Sequence, residues 1–486
     1  MLRSSVVLLL LTLFLVLPAA QSKQLTQPKS LAITHVTVVN VGAKDAKHAL
    51  VPDQTVIITG NRITAVGRTR RVKVPAGARV IEATGKFLIP GLWDNYTFAL
   101  EAVGNNHPFF ELMIAHGVTG VRDAGASMDL REAAKLRAAI NSGEVLAPRL
   151  FYAGTVLIGE MPPRQSDRWT GISTVVKTIE EARKAVESLA VGGVDYIKTE
   201  KRLPPEILKV VIDAAHKHKL PVVAVPPSFI IDASNDGLDC IEHFAEINRE
   251  TSEKRNEYYA LYRDRTIDRM TIDENYAFFS TMERDVPYYN ETLKTLARNK
   301  TYVVTNGSVL ATFAGDYELA DASRRRLKTK KQLERLEATI AERARQIRNQ
   351  DYRMSDKTRE RHFQDILDLQ KAGVMLLAGT QISKGDIGTP GLVLHDELAL
   401  LVRAGLSPFE ALKTATVNPA KFMRREKELG TIERGKLADL VLLDANPLER
   451  VSNTQRINAV VANGRLLDRQ VLDALLTQVE AAAKRK

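Results

Sequence analysis

Cysteine is almost absent. Cys240 is the only one in 486 residues, so no internal disulfide forms and the fold must be held by packing, as a large domain can be. It lies in the strand-like run Leu238-Asp239-Cys240-Ile241-Glu242, with only His243 beside it as an activating group, which fits a buried inert thiol. The apolar run at residues 6–17 is too short for a spanning helix, which needs about 20 apolar residues. With Arg3 before it and Pro18-Ala19-Ala20-Gln21-Ser22 after it, it reads as a signal peptide over residues 1–22, with an uncleaved anchor as the alternative. The expectation is an exported chain, periplasmic or extracellular, with no membrane span once the segment is removed. No Cys follows for a lipid anchor.

Acidic residues are the minority, and net charge is +11. The basic residues concentrate at Arg324-Arg325-Arg326 and Lys328-Thr329-Lys330-Lys331 without interleaved aromatics. That pattern reads as a solvated helix face and predicts no nucleic-acid partner. Ser228 and Ser383 fall near strand ends but not in a Gly-x-Ser-x-Gly turn, so nucleophilic serine chemistry is not indicated. Three sequons, at Asn290, Asn299 and Asn306, matter only in a glycosylating pathway.

What the chain does contain is enough apolar residues, 44%, for a large core. Residues 31–86 are strand-rich, with a tight-turn signal at Gly60-Asn61. Residues 438–443 and 457–467 read the same way, with Asn463-Gly464 as the turn. Strand-rich blocks at both ends predict one small β-sandwich domain over 23–86 plus 425–468. Between them, over 87–424, short apolar strands alternate with amphipathic helices, the texture of a parallel α/β fold. Eight strand candidates fall at 87–93, 118–123, 149–152, 195–198, 221–225, 238–243, 301–305 and 374–379. Eight strands with intervening helices predict a (β/α)8 barrel whose functional groups sit at the strands' C-terminal ends. The highly charged span 248–285 reads as an insertion at one face, either a lid or a solvated decoration. Residues 469–486 should form a docked helix with Val471, Leu472, Leu475, Leu476 and Val479 on its apolar stripe.

Several segments together resemble the amidohydrolase superfamily, in its imidazolonepropionase-like and prolidase-like branch. They are Gly85-Lys86-Phe87-Leu88-Ile89-Pro90-Gly91-Leu92-Trp93-Asp94, His116-Gly117-Val118-Thr119-Gly120-Val121-Arg122-Asp123, Asp195-Tyr196-Ile197-Lys198 and Gly237-Leu238-Asp239-Cys240-Ile241-Glu242-His243. Near the C-terminus come Asn418-Pro419-Ala420 and Leu429-Gly430-Thr431-Ile432-Glu433-Arg434-Gly435-Lys436-Leu437-Ala438-Asp439-Leu440. The resemblance implies hydrolysis of carbon–nitrogen bonds on one or two divalent metals. These would activate a water and polarise the scissile carbonyl. It implies ligands from a His-x-His pair after strand 1, a carboxylated Lys after strand 4, a His after each of strands 5 and 6, and an Asp after strand 8 that doubles as general base.

This sequence departs from that pattern. Tyr96 and Phe98 stand at the His-x-His positions, Val225 at the strand-5 His and Gln381 at the strand-8 Asp. Lys198 and His243 remain, which is short of the roughly three protein ligands of a catalytic zinc site. Gln381 cannot accept the proton of the attacking water. Lys198 is then expected as an ammonium paired with Asp94, Asp123, Glu200 or Glu242, because a buried charge needs a partner. The first expectation is an exported pseudo-hydrolase that binds a small molecule at a mouth lined by Tyr96, Phe98, Asp123, Val225 and Gln381. On this reading there is no catalytic residue and no cofactor, and a homo-oligomer is left open. The second is an active hydrolase with a rebuilt site, either a mononuclear zinc or other divalent-metal site drawn from His243, His107 and Asp123, or a metal-independent one. His116 and His395 are expected away from the mouth, and His216 and His218 on a solvent-facing helix.

Overall fold

The computed structural model describes residues 30–103, 107–125, 128–160, 171–200, 203–225, 229–243, 245–263, 266, 270, 283–306, 322–348, 356–383 and 388–485. The segment expected as a signal peptide lies outside them, as does most of residues 264–282.

Two short turns set up the joining of the chain ends. Gly60, at φ 59°, joins strands Leu50–Thr59 and Arg62–Arg68, whose register pairs Thr59 with Arg62. Asn463 and Gly464, at φ 49° and 78°, join Ile457–Ala462 to Arg465–Asp468. The two turns abut, so a Cβ at Gly464 would lie 2.1 Å from the Gly60 carbonyl oxygen. Asn61 Nδ2 also donates to Asn463 Oδ1 at 3.2 Å. The β domain expected from the two ends is present, its strands linked in one continuous eight-stranded sheet. Leu440–Leu443 pairs with Phe87–Pro90, which pairs in turn with Ser30–Val39. Its own apolar cluster gathers Ile33, Val56, Ile58, Leu88, Leu440 and Val461.

The strand expected over 87–93 is two strands in two different sheets. Phe87–Pro90 belongs to the terminal domain and Leu92–Thr97 opens the barrel. They divide at Gly91, where a Cβ would sit 1.9 Å from Thr119 Oγ1, so only glycine passes. The domain boundary therefore falls after Pro90 and not after Lys86.

The barrel's eight parallel strands are Leu92–Thr97, Val118–Asp123, Arg149–Tyr152, Ile197–Thr199, Val222–Ala224, Cys240–Ile241, Tyr302–Val304 and Leu376–Leu377. Backbone bonds from Asp195 N to Tyr152 O, 2.9 Å, and from Asn95 N to Ala378 O, 3.0 Å, join the two sheets into a ring. Alternate residues sort to opposite faces, as a strand's two-residue period requires. Ile197, Val222, Ile241, Val303 and Leu376 pack outward with the helices. Tyr196, Val223, Cys240, Val304 and Leu377 pack inward with Trp93, Tyr96 and Phe151. Cys240 is fully buried there, and burial pushes its thiol up, which suits an inert packing residue.

The C-terminal helix Arg469–Lys484 starts where Asp468 accepts from Val471 N, and it lies against the helix Phe109–Ala115. Leu472, Leu476, Val479 and Ala483 form its buried stripe. Val471, expected on that stripe, is 38% exposed, because the apolar arc is centred one position further round. In the charged insertion, Asn248 of the helix Ala245–Glu250 and Arg284 both bond to Asp365, and Arg255, which opens the helix Arg255–Arg263, pairs with Asp285.

Arg149, at the start of the third barrel strand, pairs with Asp439 of the terminal domain and donates to Asn463 Oδ1 at 2.8 Å. Both charges are almost fully buried. Removing one partner of such a pair costs about 3–5 kcal/mol, while replacing both by apolar groups is close to neutral. Arg149→Met should therefore lower the unfolding free energy by about 3 kcal/mol in urea denaturation, and adding Asp439→Leu should recover part of that loss.

Candidate functional site

The C-terminal ends of the barrel strands hold a chain of buried polar groups centred on strand 4. Lys198 is 1% exposed. Its Nζ lies 2.7 Å from Glu242 Oε2 and 3.8 Å from Glu200 Oε1. It also donates to the Tyr96 hydroxyl at 3.3 Å and sits 4.5 Å from the centre of that ring. Glu242 Oε1 accepts from Arg122 Nη2 at 2.7 Å, so one carboxylate from strand 6 holds cations from strands 4 and 2. The Arg122 guanidinium stacks 4.9 Å from the Tyr196 ring, and the Tyr196 hydroxyl donates to Asp123 O at 2.5 Å. An ammonium has no acceptor capacity, so the Tyr96 oxygen accepts from Lys198, and the same hydroxyl lies within hydrogen-bond distance of His243 Nε2, at 3.2 Å.

The charge states follow from these contacts. Burial works against a charged Lys198, but Glu242, then Tyr96 and Glu200, outweigh it and hold the ammonium above the usual lysine range. Burial also opposes ionisation of Glu242, yet Lys198 and Arg122 hold its carboxyl below the usual range. Burial pushes the Tyr96 phenol up, so it stays neutral. A carbamate on lysine forms by attack of a free amine on carbon dioxide. The locked ammonium of Lys198 has no lone pair to offer.

The remaining positions add no strong donor. Phe98 lies with its ring 5.7 Å from that of Tyr96, and Val225 is buried. Gln381 is half-buried and tied by its backbone N to Tyr96 O at 2.6 Å. Asp123 accepts from Leu100 N and Gly125 N, and burial outweighs these bonds to push its carboxyl up to about 6. Asp94 accepts from Thr380 N and Oγ1 at 3.0 and 2.6 Å, bracing strand 1 to strand 8, with burial pushing it up to about 7. Of the four partners expected for Lys198, Glu242 and Glu200 make the ion pairs.

His107 lies apart, lining a groove of about 490 Å³ with Phe110, Leu146, Leu327 and Val479. The grouping of His243, His107 and Asp123 is not formed. Among the described residues no three His, Cys, Asp or Glu side chains converge to hold a metal ion. The donors at the six expected positions do not fit the group that the resemblance implies. His116 and His395 bond to each other's surroundings at the other end of the barrel, through Leu112 O, His116 O and Thr454. His216 and His218 are part-exposed and pair with Asp239 and Glu187.

Sequence reasoning missed Arg122, Tyr196 and Asn306. For Arg122 a signal existed: Gly120, Arg122 and Ala124 alternate, and Gly120 packs beneath Trp93, which marks the inward row. The backbone at the strand ends is itself unusual. His243, Asn306 and Gln381 follow strands 6, 7 and 8 with φ of 63°, 45° and 57°. Left-handed non-glycine residues cost of order 1 kcal/mol or more and gather at binding and active sites.

The amidohydrolase family profile matches residues 109–467. In sequence, the chain is 36% identical over 99 residues to an imidazolonepropionase of Geobacillus sp. (strain WCH70), a stretch covering 20% of this chain and 23% of that one. The chain thus spans under a quarter of that relative's length. In structure, it resembles a putative prolidase from Bifidobacterium longum with a TM-score of 0.64 at 22% identity, covering 93% of this chain and 99% of that one. A bottromycin amidohydrolase matches with a TM-score of 0.69 at 18% identity, over 94% of this chain and 91% of that one. Likenesses at these identities establish the (β/α)8 fold.

Glu242 pairs with two buried cations, so Glu242→Gln should destabilise the protein by about 3–5 kcal/mol at pH 7, measured by chemical denaturation. Its folded-state carboxyl is depressed, so its contribution is present above the unfolded value of 4.5 and lost as pH falls through the lower folded value. The gap between wild type and variant should therefore be widest near neutrality and narrow below pH 4.5.

Proposed function

This chain belongs to the amidohydrolase family, and from that premise we propose that it is a pseudo-hydrolase whose barrel mouth binds a small molecule without a hydrolytic metal centre. The observation behind this reading is the state of Lys198. Where the family places a metal-bridging carbamate, Lys198 is an ammonium paired with Glu242 at 2.7 Å and covered by the Tyr96 ring. Three further replacements act in the same direction. Phe98 and Val225 offer no lone pair, and Gln381 offers no base.

The fold alone would permit either reading, since chemistry belongs to the site and not to the barrel. The left-handed backbone at His243, Asn306 and Gln381 fits a mouth shaped for a ligand. Apolar walls with a few polar groups are what small-molecule pockets commonly have. The segment at residues 1–22 supports export to the periplasm or beyond. The prolidase and imidazolonepropionase names of the similar proteins suggest the competing reading, hydrolysis of dipeptide or cyclic amide bonds.

Metal analysis of the purified protein decides between the two. Protein incubated with excess zinc and desalted should retain well under one zinc per chain by inductively coupled plasma mass spectrometry. It should not hydrolyse alanyl-proline or N-acyl amino acids above background with zinc or manganese added. A tightly held zinc in every chain, together with turnover abolished by His243→Ala, would establish the hydrolase instead.

A further inference from the structure

Asn306 follows the seventh barrel strand, Tyr302–Val304, and is 3% exposed. Neither its Oδ1 nor its Nδ2 has a hydrogen-bond partner among the described residues. Leaving a buried polar group unsatisfied is costly, and native structures rarely tolerate it without a reason. The left-handed backbone here, at φ 45°, favours glycine or asparagine, and glycine would supply it without burying an amide. The side chain is therefore not explained by the turn. Nor is it explained by the sequon Asn306-Gly307-Ser308, because a glycan needs an accessible amide.

Its place in the barrel points to the mouth. Tyr302 and Val304 pack with the interior cluster while Val303 packs outward, and Asn306 follows two residues beyond Val304 at the strand's C-terminal end. The floor below is apolar and tight. A Cβ at Gly379 would meet Val304 Cγ1 at 2.7 Å and Tyr96 Cβ at 2.9 Å. A carboxamide above an apolar floor, with a donor and an acceptor both unspent, is a recognition group awaiting its complement.

We infer that Asn306 is the hydrogen-bonding anchor of the barrel mouth and that it takes a small molecule with an apolar body and a donor and acceptor on one edge, as a primary amide has. The inference rests on the mouth being a ligand site. The two carboxamides would face each other, Nδ2 donating to the ligand carbonyl and Oδ1 accepting from the ligand N–H. An ester or a fully substituted amide offers only the acceptor and leaves Oδ1 unpaired in the bound state.

Benzamide and N,N-dimethylbenzamide are suitable probes, compared by ligand-observed NMR titration on the full chain. Wild type should bind benzamide at least about tenfold more tightly than the dimethyl compound, the loss expected when one buried hydrogen bond is left unmade. Asn306→Gly keeps the left-handed backbone, so it should fold with a melting temperature within a few degrees of wild type and bind both probes with equal weakness. Unchanged discrimination in a folded Asn306→Gly protein overturns the assignment of Asn306 while leaving a ligand-binding mouth in place. Absence of benzamide binding to wild type overturns the inference as a whole. Failure of the pseudo-hydrolase reading itself shows separately, as stoichiometric zinc.

Discussion

The ion pair between Lys198 and Glu242 is the constraint on which the barrel's interior depends. Its two members come from strands 4 and 6, and through Arg122 and Tyr96 it reaches strands 2 and 1. Buried pairs are weak contributors to net stability, because desolvation offsets most of their attraction. Their effect here is on identity. With Glu242 ionised and Lys198 charged, the carboxylate that could face a cation is already engaged by Lys198 and Arg122. The same lysine in a neutral state would be a different chemical group, able to add carbon dioxide and lose a proton to give a carbamate, whose oxygens could hold metals.

The other substitutions are consistent with that state. Tyr96 fills space with its ring, accepts from Lys198 and shares a hydrogen bond with His243, so both of these polar residues are engaged by one aromatic side chain. Phe98 packs against it. Asp94, whose two oxygens are occupied by Thr380 and the Tyr96 backbone, works as a brace between the first and last strands. The barrel thus stays closed by hydrogen bonds and side-chain packing. The backbone at the ends of strands 6, 7 and 8 is left-handed at His243, Asn306 and Gln381.

Much of this was legible in the sequence where local chemistry is decisive. Gly60-Asn61 and Asn463-Gly464 marked both hairpins, and Val118–Asp123 and Arg149–Tyr152 stand as strands where their apolar texture put them. The first barrel strand was misjudged because residues 87–93 are uniformly apolar. Hydrophobicity cannot reveal that the run passes between two sheets at Gly91, which depends on the nearby Thr119. At the site, the replaced positions could be read by alignment to motifs, and Glu242 was among four possible partners for Lys198. Choosing between them required three-dimensional distance. Asn306 was visible only as a sequon, because its unpaired burial is a property of packing and not of neighbours in sequence.

The central claim is that the mouth holds a fixed ammonium where a metal centre would need a carbamate. A crystal grown in the presence of zinc, with anomalous diffraction collected at the zinc edge, examines that most directly. The account predicts no zinc peak at the mouth and an unmodified Lys198 in contact with Glu242. An ion held there by three or more protein atoms, with Lys198 carboxylated, would contradict it.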